Sequence, residues 1–284
     1  KIPEDAALVI IGGAQKGLMK QEVESLRSYL ENHGKLMVLL DPHRDAGLKD
    51  FLKSYGVVLS EDVVIDKLSR VFGGSYLMPV VTTYGNHKIT EGFGIATFFP
   101  EARSIQQTKE PPKGVQMTVL ASTSENAWAE KNMELLKQGQ AGFDEKEDLA
   151  GPVPLGLLAE IDVKEMKKYG AKGKSQSQKG DSKPEGEELD KNPRKAFLLV
   201  IGDSDFISNS NFSLSGNGDL FLNMVNYLAE EETLITIESR EKGGRAVLLS
   251  QGQARAMFWM VLVLVPLVVL AAGFAVYRVR RGQR

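Results

Sequence analysis

The sequence predicts an α/β fold, a doubly wound and mostly parallel sheet, carried on one C-terminal transmembrane helix. Three observations lead there. Short uninterrupted apolar runs alternate with amphipathic stretches from residue 6 onward; glycine or aspartate closes the runs at 6–11, 36–40 and 196–201; and 21 consecutive residues, 257–277, carry no charge. An apolar fraction of 42% with 25% charged residues is that of an ordinary globular chain, and 284 residues suffice for one large domain or two small ones.

The opening run, AALVII at 6–11, lies between Pro3 and Gly12-Gly13, as a strand buried on both faces does. Met19, Val23, Leu26 and Leu30 then recur at helical spacing, and residues 32–34 end that helix. LMVLL at 36–40 is a second buried strand stopped by Asp41-Pro42; Leu48, Phe51 and Leu52 mark a helix ending at Gly56, and a third strand follows at 63–65. The crossover rule for such units assembles these strands into one sheet with helices on both faces. Residues 70–100, rich in glycine, aromatics and threonine, read as strands and loops, and 116–121 and 154–161 as further core strands. From about 170 to 193 the composition falls to Lys, Ser, Gln, Gly and Glu, which reads as a flexible insertion. AFLLVI at 196–201 is a strand running into GDSDF, and Leu220, Phe221, Met224, Val225 and Leu228 form a helical face opened by the capping sequence Asn217-Gly218-Asp219. The domains expected are an extracytoplasmic α/β domain at 1–232, a stalk at 233–255, a transmembrane helix at 256–277 and a basic tail at 278–284.

The charge-free run would span about 31 Å as a helix, close to the hydrocarbon thickness of a bilayer. Trp259 and Tyr277 stand near its two ends, where amphipathic rings favour the interface, and Pro266 predicts a kink. Arg278, Arg280, Arg281 and Arg284 follow it, whereas Arg255 is the single charge in residues 246–255. The positive-inside bias therefore places the C-terminus in the cytoplasm and the bulk of the chain outside it.

The net charge is −2, and without the +4 of those four tail arginines the remainder carries −6, so no basic nucleic-acid surface is expected. The chain has no cysteine, which removes disulfides, thiol catalysis and cysteine-bound metals.

Several motifs bear on chemistry. In IGGAQKGLMK, Gly12 and Gly17 have phosphate-loop spacing, but Leu18 and Met19 occupy the positions that need Lys and Ser or Thr. A tight turn is the expectation, and no ATPase. The strand-end GDSD at 202–205 resembles the nucleophile block of GDS-type serine esterases. That chemistry needs a histidine near the C-terminus, and His33, His43 and His87 all lie far upstream of Ser204. Asp203 and Asp205, joined by Asp41 from another strand end, have the makings of an acidic metal site, yet aspartates at such positions more commonly cap turns and helices. The cap reading is preferred, so no metal and no cofactor is assigned. His43 reads as an exposed loop histidine, and Glu125, near Trp128, has no evident acid–base partner.

Taken in order, AALVIIGG, the E-x-x-x-L-x-x-YL helix at 22–30, GKLMVLLDP, YGVVLSEDVVID at 55–66, FFPEARSI at 98–105, LASTSENAWAE at 120–130, VIGDSDFISN at 200–209 and the apolar tail resemble the gliding-motility-type ABC transporter auxiliary component family. The resemblance covers nearly the whole chain. It implies an extracytoplasmic subunit of a bacterial ABC-2-type export system, working beside a separate permease and a separate ATPase. It also implies a flavodoxin-like or glutamine-amidotransferase-like domain, and a further membrane helix ahead of Lys1. The amidotransferase nucleophile is a cysteine, so that activity does not carry over, and the family brings no catalytic residues.

The leading expectation is thus a non-enzymatic auxiliary or substrate-handling subunit, whose partners are the permease, the ATPase, the lipid bilayer and an envelope component or exported substrate. A second is a ligand-binding receptor using the crevice at the strand ends, with Gly12, Asp41, Ser122, Asp203, Ser204 and Asp205 as candidates. A third is a cryptic hydrolase dependent on Asp203 and Ser204.

Overall fold

A computed structural model of the chain describes residues 1–172 and 195–230, together with Trp259, Val263, Pro266, Leu267 and Arg281. The chain divides into two compact units, Lys1–Ile237 and Glu238–Arg284, and the α/β domain belongs to the first.

Strand β1 (Val9–Gly12) leads through helix α1 (Lys20–Glu31) into β2 (Lys35–Leu39), followed by α2 (Lys49–Ser54), β3 (Val57–Leu59) and β4 (Val63–Asp66). After a 3-10 turn at Lys67–Phe72 come the short β5 (Val80–Val81), β6 (Thr83–Tyr84), β7 (Thr97–Phe98) and β8 (Ile105–Gln107). The long β9 (Val115–Ser122) precedes β10 (Ala127–Glu130), α3 (Met133–Lys137), β11 (Leu149–Ala150), β12 (Pro154–Ile161) and α4 (Val163–Lys172). Then β13 (Ala196–Ile201) runs through a 3-10 turn at Asp205–Ile207 toward α5 (Asn217–Glu230).

The central sheet has six strands in the order β1-β2-β13-β12-β9-β6. Its side chains alternate between two cores, as the period of two along a strand requires. Leu36, Val38 and Leu40, with Leu198 and Val200, face the core that holds Leu26 and Leu30 of α1 and Phe51 and Leu52 of α2. Met37 and Leu39, with Phe197, Leu199 and Ile201, face the opposite core, which holds Leu220, Met224 and Leu228 of α5. Helices therefore cover both faces, as the apolar runs predict, and burying each such side chain contributes about 1.5–3 kcal/mol. The first helix begins where Glu22 takes the Met19 N–H at 2.8 Å and ends at Asn32, with His33 following in the left-handed region at φ 64°.

The sheet differs from the prediction in direction. β1, β2 and β13 are parallel, but β12 is antiparallel to both β13 and β9, and β6 is antiparallel to β9. The domain is α/β with a mixed sheet. Burial on two faces makes a run apolar whichever way it points, so the composition of 154–161 does not encode its direction. The strand expected at 63–65 forms, yet it joins a three-stranded side sheet, β11-β10-β4, instead of the central one. Among the described residues no helix is long and apolar enough to cross a membrane. Most of 256–277, the stalk at 233–255 and the insertion beyond residue 172 lie outside the described residues, as do Tyr277, Arg278 and Arg280, while Trp259 is exposed.

Candidate functional site at the carboxyl edge of the sheet

In open α/β sheets, ligands bind beyond the carboxyl ends of the strands, where successive loops part to opposite faces. Here that point lies between β2 and β13. The chain leaving β1 and β2 enters α1 and α2 on one face, and the chain leaving β13 reaches α5 on the other. Asp41 stands at the mouth of the first loop, and Asp203, Ser204 and Asp205 at the mouth of the second.

The structure brings these residues together. One carboxylate oxygen each of Asp41, Asp203 and Asp205 lies within 4.8 Å of the others. The Ser204 N–H donates to Asp41 Oδ1 at 2.7 Å, tying the two loops together, and the Asp205 N–H donates to Asp203 Oδ1 at 2.6 Å. Such capping engages one oxygen each of Asp41 and Asp203. It leaves Asp203 Oδ2 buried with no hydrogen-bond partner among the described residues. Burial pushes the Asp203 carboxyl well above the ordinary carboxylate range; the N–H groups of Asp205 and Phe206 oppose the shift, and the charges of Asp41 and Asp205 add to it.

Two further residues shape the site. Gly13 follows β1 with φ 56°, and a Cβ built there would stand 2.7 Å from Ser204 Oγ and 4.0 Å from Asp41 Oδ2. Gly12, the sequence candidate, instead faces Leu39, with 3.7 Å from a built Cβ to Leu39 Cδ1, so the glycine at the crevice is its neighbour. Arg103, which sequence reasoning passed over, is fully buried beneath the loops. Its Nε donates to the Ser60 carbonyl at 2.8 Å, its Nη1 to the Asp41 carbonyl at 3.2 Å, and its Nη2 also to Ser60. Its backbone N–H donates to the Gly202 carbonyl at 2.7 Å, and a Cβ on Gly202 would come within 2.1 Å of the Arg103 carbonyl oxygen. Arg103 thus braces both loops from below. The available signal was an arginine inside the apolar stretch FFPEARSI.

Ser122 ends β9 on this same edge of the sheet, because β9 and β13 run in the same direction. The intervening β12 separates it from β13 by two strand spacings, about 10 Å, and it does not join the aspartates. Ser204 has no described histidine partner: His43 lies 3.9 Å from Glu61, and His87 lies 3.8 Å from Glu160. The arrangement can gather positive charge at Asp41, Asp203 and Asp205; a serine–histidine relay is not assembled among the described residues.

The family described as "ABC-type uncharacterized transport system" matches residues 1–224 in sequence. The chain belongs to that family. As a member it is an auxiliary component of an ABC-type transport system. No curated protein matches the chain. Among solved structures, the fold is similar to the mmIFT52 N-terminal domain, at 16% identity and TM-score 0.50, over 80% of this chain and 78% of that one. A thua-like protein from Bacteroides uniformis aligns at 14% identity and TM-score 0.38, over 79% of this chain and 70% of that one, too distant to argue from. At such identity the first likeness speaks for the fold of the auxiliary component and for nothing beyond it.

Proposed function

We propose that this auxiliary component is a non-enzymatic subunit of a bacterial ABC-2-type transport system, held in the inner membrane by residues 256–277. Its α/β domain lies outside the cytoplasm and its arginine tail inside. The observation that carries the reading is the family match over 1–224, combined with a phosphate-type turn whose nucleotide-binding positions are Leu18 and Met19. That turn does not supply the lysine and hydroxyl of a phosphate loop, which supports a reading in which a separate ATPase drives transport. The charge-free run and the four arginines after it support the anchor and its orientation.

Affinity capture of the tagged full chain from native membranes tests this. Co-purification of a multi-helix permease and an ATPase is the expected result, and recovery of neither overturns the reading. The anchor is tested separately: the chain stays in the membrane pellet in carbonate, and protease added outside spheroplasts digests the bulk of it. Release by carbonate refutes the anchor, and protection from protease refutes the orientation.

A further inference from the structure

We propose that Asp41, Asp203 and Asp205 bind one divalent cation of the oxygen-seeking class, Ca2+ or Mg2+, between the loops that leave β2 and β13. Turn capping accounts for part of this cluster and leaves the rest unexplained. Asp41 and Asp203 each use Oδ1 to hold a backbone N–H, of Ser204 and of Asp205. Asp203 Oδ2 is left over, on a residue only 1% exposed and with no hydrogen-bond partner among the described residues. A buried carboxylate oxygen normally has a donor or a cation against it. No described ion pair supplies one, for those among the described residues fall on Glu4, Glu24, Glu31, Glu61, Glu134 and Glu160. The Arg103 guanidinium beneath the loops is spent on the carbonyls of Ser60 and Asp41 and stands 3.6 Å from Glu61.

The spacing fits an ion. Calcium takes oxygens at about 2.3–2.6 Å, so two ligands across one ion stand at most about 5 Å apart, and for magnesium at about 2.0–2.1 Å the limit is about 4 Å. The three oxygens, within 4.8 Å of one another, match the first range and meet the second with a small contraction. Asp205 is exposed and Asp41 half-buried, leaving an outer side where water completes the shell, as both ions require. Gly13 keeps a side chain out of the space beside Ser204 Oγ and Asp41 Oδ2. An all-oxygen donor set selects these ions over zinc or copper, which favour imidazole and thiolate. The bound ion would join loops that lead to opposite faces of the sheet.

The test uses the full chain, stripped with EDTA and titrated calorimetrically with CaCl2 and with MgCl2, alongside thermal melting. One ion of either kind per chain, a melting temperature that rises with the ion, and at least tenfold weaker binding in both Asp41→Asn and Asp205→Asn are expected. Asp205 is exposed, so Asp205→Asn keeps the fold and isolates the loss of a ligand. Wild-type melting unmoved by about 10 mM of either ion overturns the proposal, and so does binding that Asp205→Asn leaves unchanged. Neither outcome depends on what the chain associates with in the membrane.

Discussion

Two buried aspartates on neighbouring loops meet opposite fates. Asp62, fully buried, has both oxygens engaged by one residue: Ser104 gives its N–H at 2.8 Å and its hydroxyl at 2.7 Å. Asp203, buried as deeply, has one oxygen held by a backbone N–H and one held by nothing described, with two more carboxylates beside it. Burial raises the pKa of both; at Asp62 the Ser104 bonds and the Arg103 and Lys131 charges oppose the shift, whereas at Asp203 the nearby charges reinforce it. The first carboxylate staples the loop after β3 to the start of β8 and is a structural part. The second keeps one buried oxygen unused among the described residues, the oxygen assigned above to a cation.

Three substitutions break or sharpen this contrast. Gly202→Ala has the largest expected effect, because its Cβ would collide with the Arg103 carbonyl at 2.1 Å and push the two loops apart. A loss of about 4 kcal/mol or outright failure to fold is expected, read by urea denaturation. Asp62→Ala strands the buried Ser104 N–H and should cost about 2 kcal/mol in the same assay. A neutral result there would erase the distinction between the two aspartates. Asp203→Asn should do the reverse in EDTA, stabilising by about 1 kcal/mol, since it removes a buried charge from two like charges and keeps an oxygen for the Asp205 N–H. A destabilised Asp203→Asn protein would make Asp203 a structural carboxylate like Asp62.

The smallest effect is a pH dependence away from both loops. Burial lowers the His87 pKa below its ordinary value, with Glu160 opposing and Lys88 reinforcing the shift, and its Nδ1 accepts the Ile89 N–H at 3.2 Å. The unfolded chain takes up a proton at about pH 6.5 while the folded one resists. Stability is thus complete above that pH and declines as pH falls from there through the folded value. Urea midpoints at about pH 7.5 and about pH 5.5 should differ more for wild type than for His87→Gln, and equal differences would show that His87 is not the group responsible.

The two halves of the domain were unequally legible in the sequence. Strands β1, β2 and β13 and helices α1 and α5 could be read from apolar runs and helical spacing, because their cores lie close to them along the chain. The short strands between 80 and 107 exist only through partners far away: β8 pairs with β3, and β6 with β9. Two-residue pairs such as β5 with β7 leave no periodicity to detect. At the crevice, Asp41 and GDSD were visible because strand ends are where such residues matter. Gly13 and Arg103 were not, since their roles are defined by contacts with distant residues: Ser204 for Gly13, and Ser60, Asp41 and Gly202 for Arg103.

What the sequence by itself determined is the class: α/β layers from alternating apolar runs, the missing nucleotide motif at Leu18 and Met19, and the family to which residues 1–224 belong. Those are local properties, set by residue type and spacing. The direction of β9 and β12, the burial of Asp203 Oδ2 with no hydrogen-bond partner among the described residues and the meeting of Asp41 with Asp205 were decided by tertiary structure alone. Strand direction and side-chain convergence depend on how distant segments pack, and no local spacing encodes that packing.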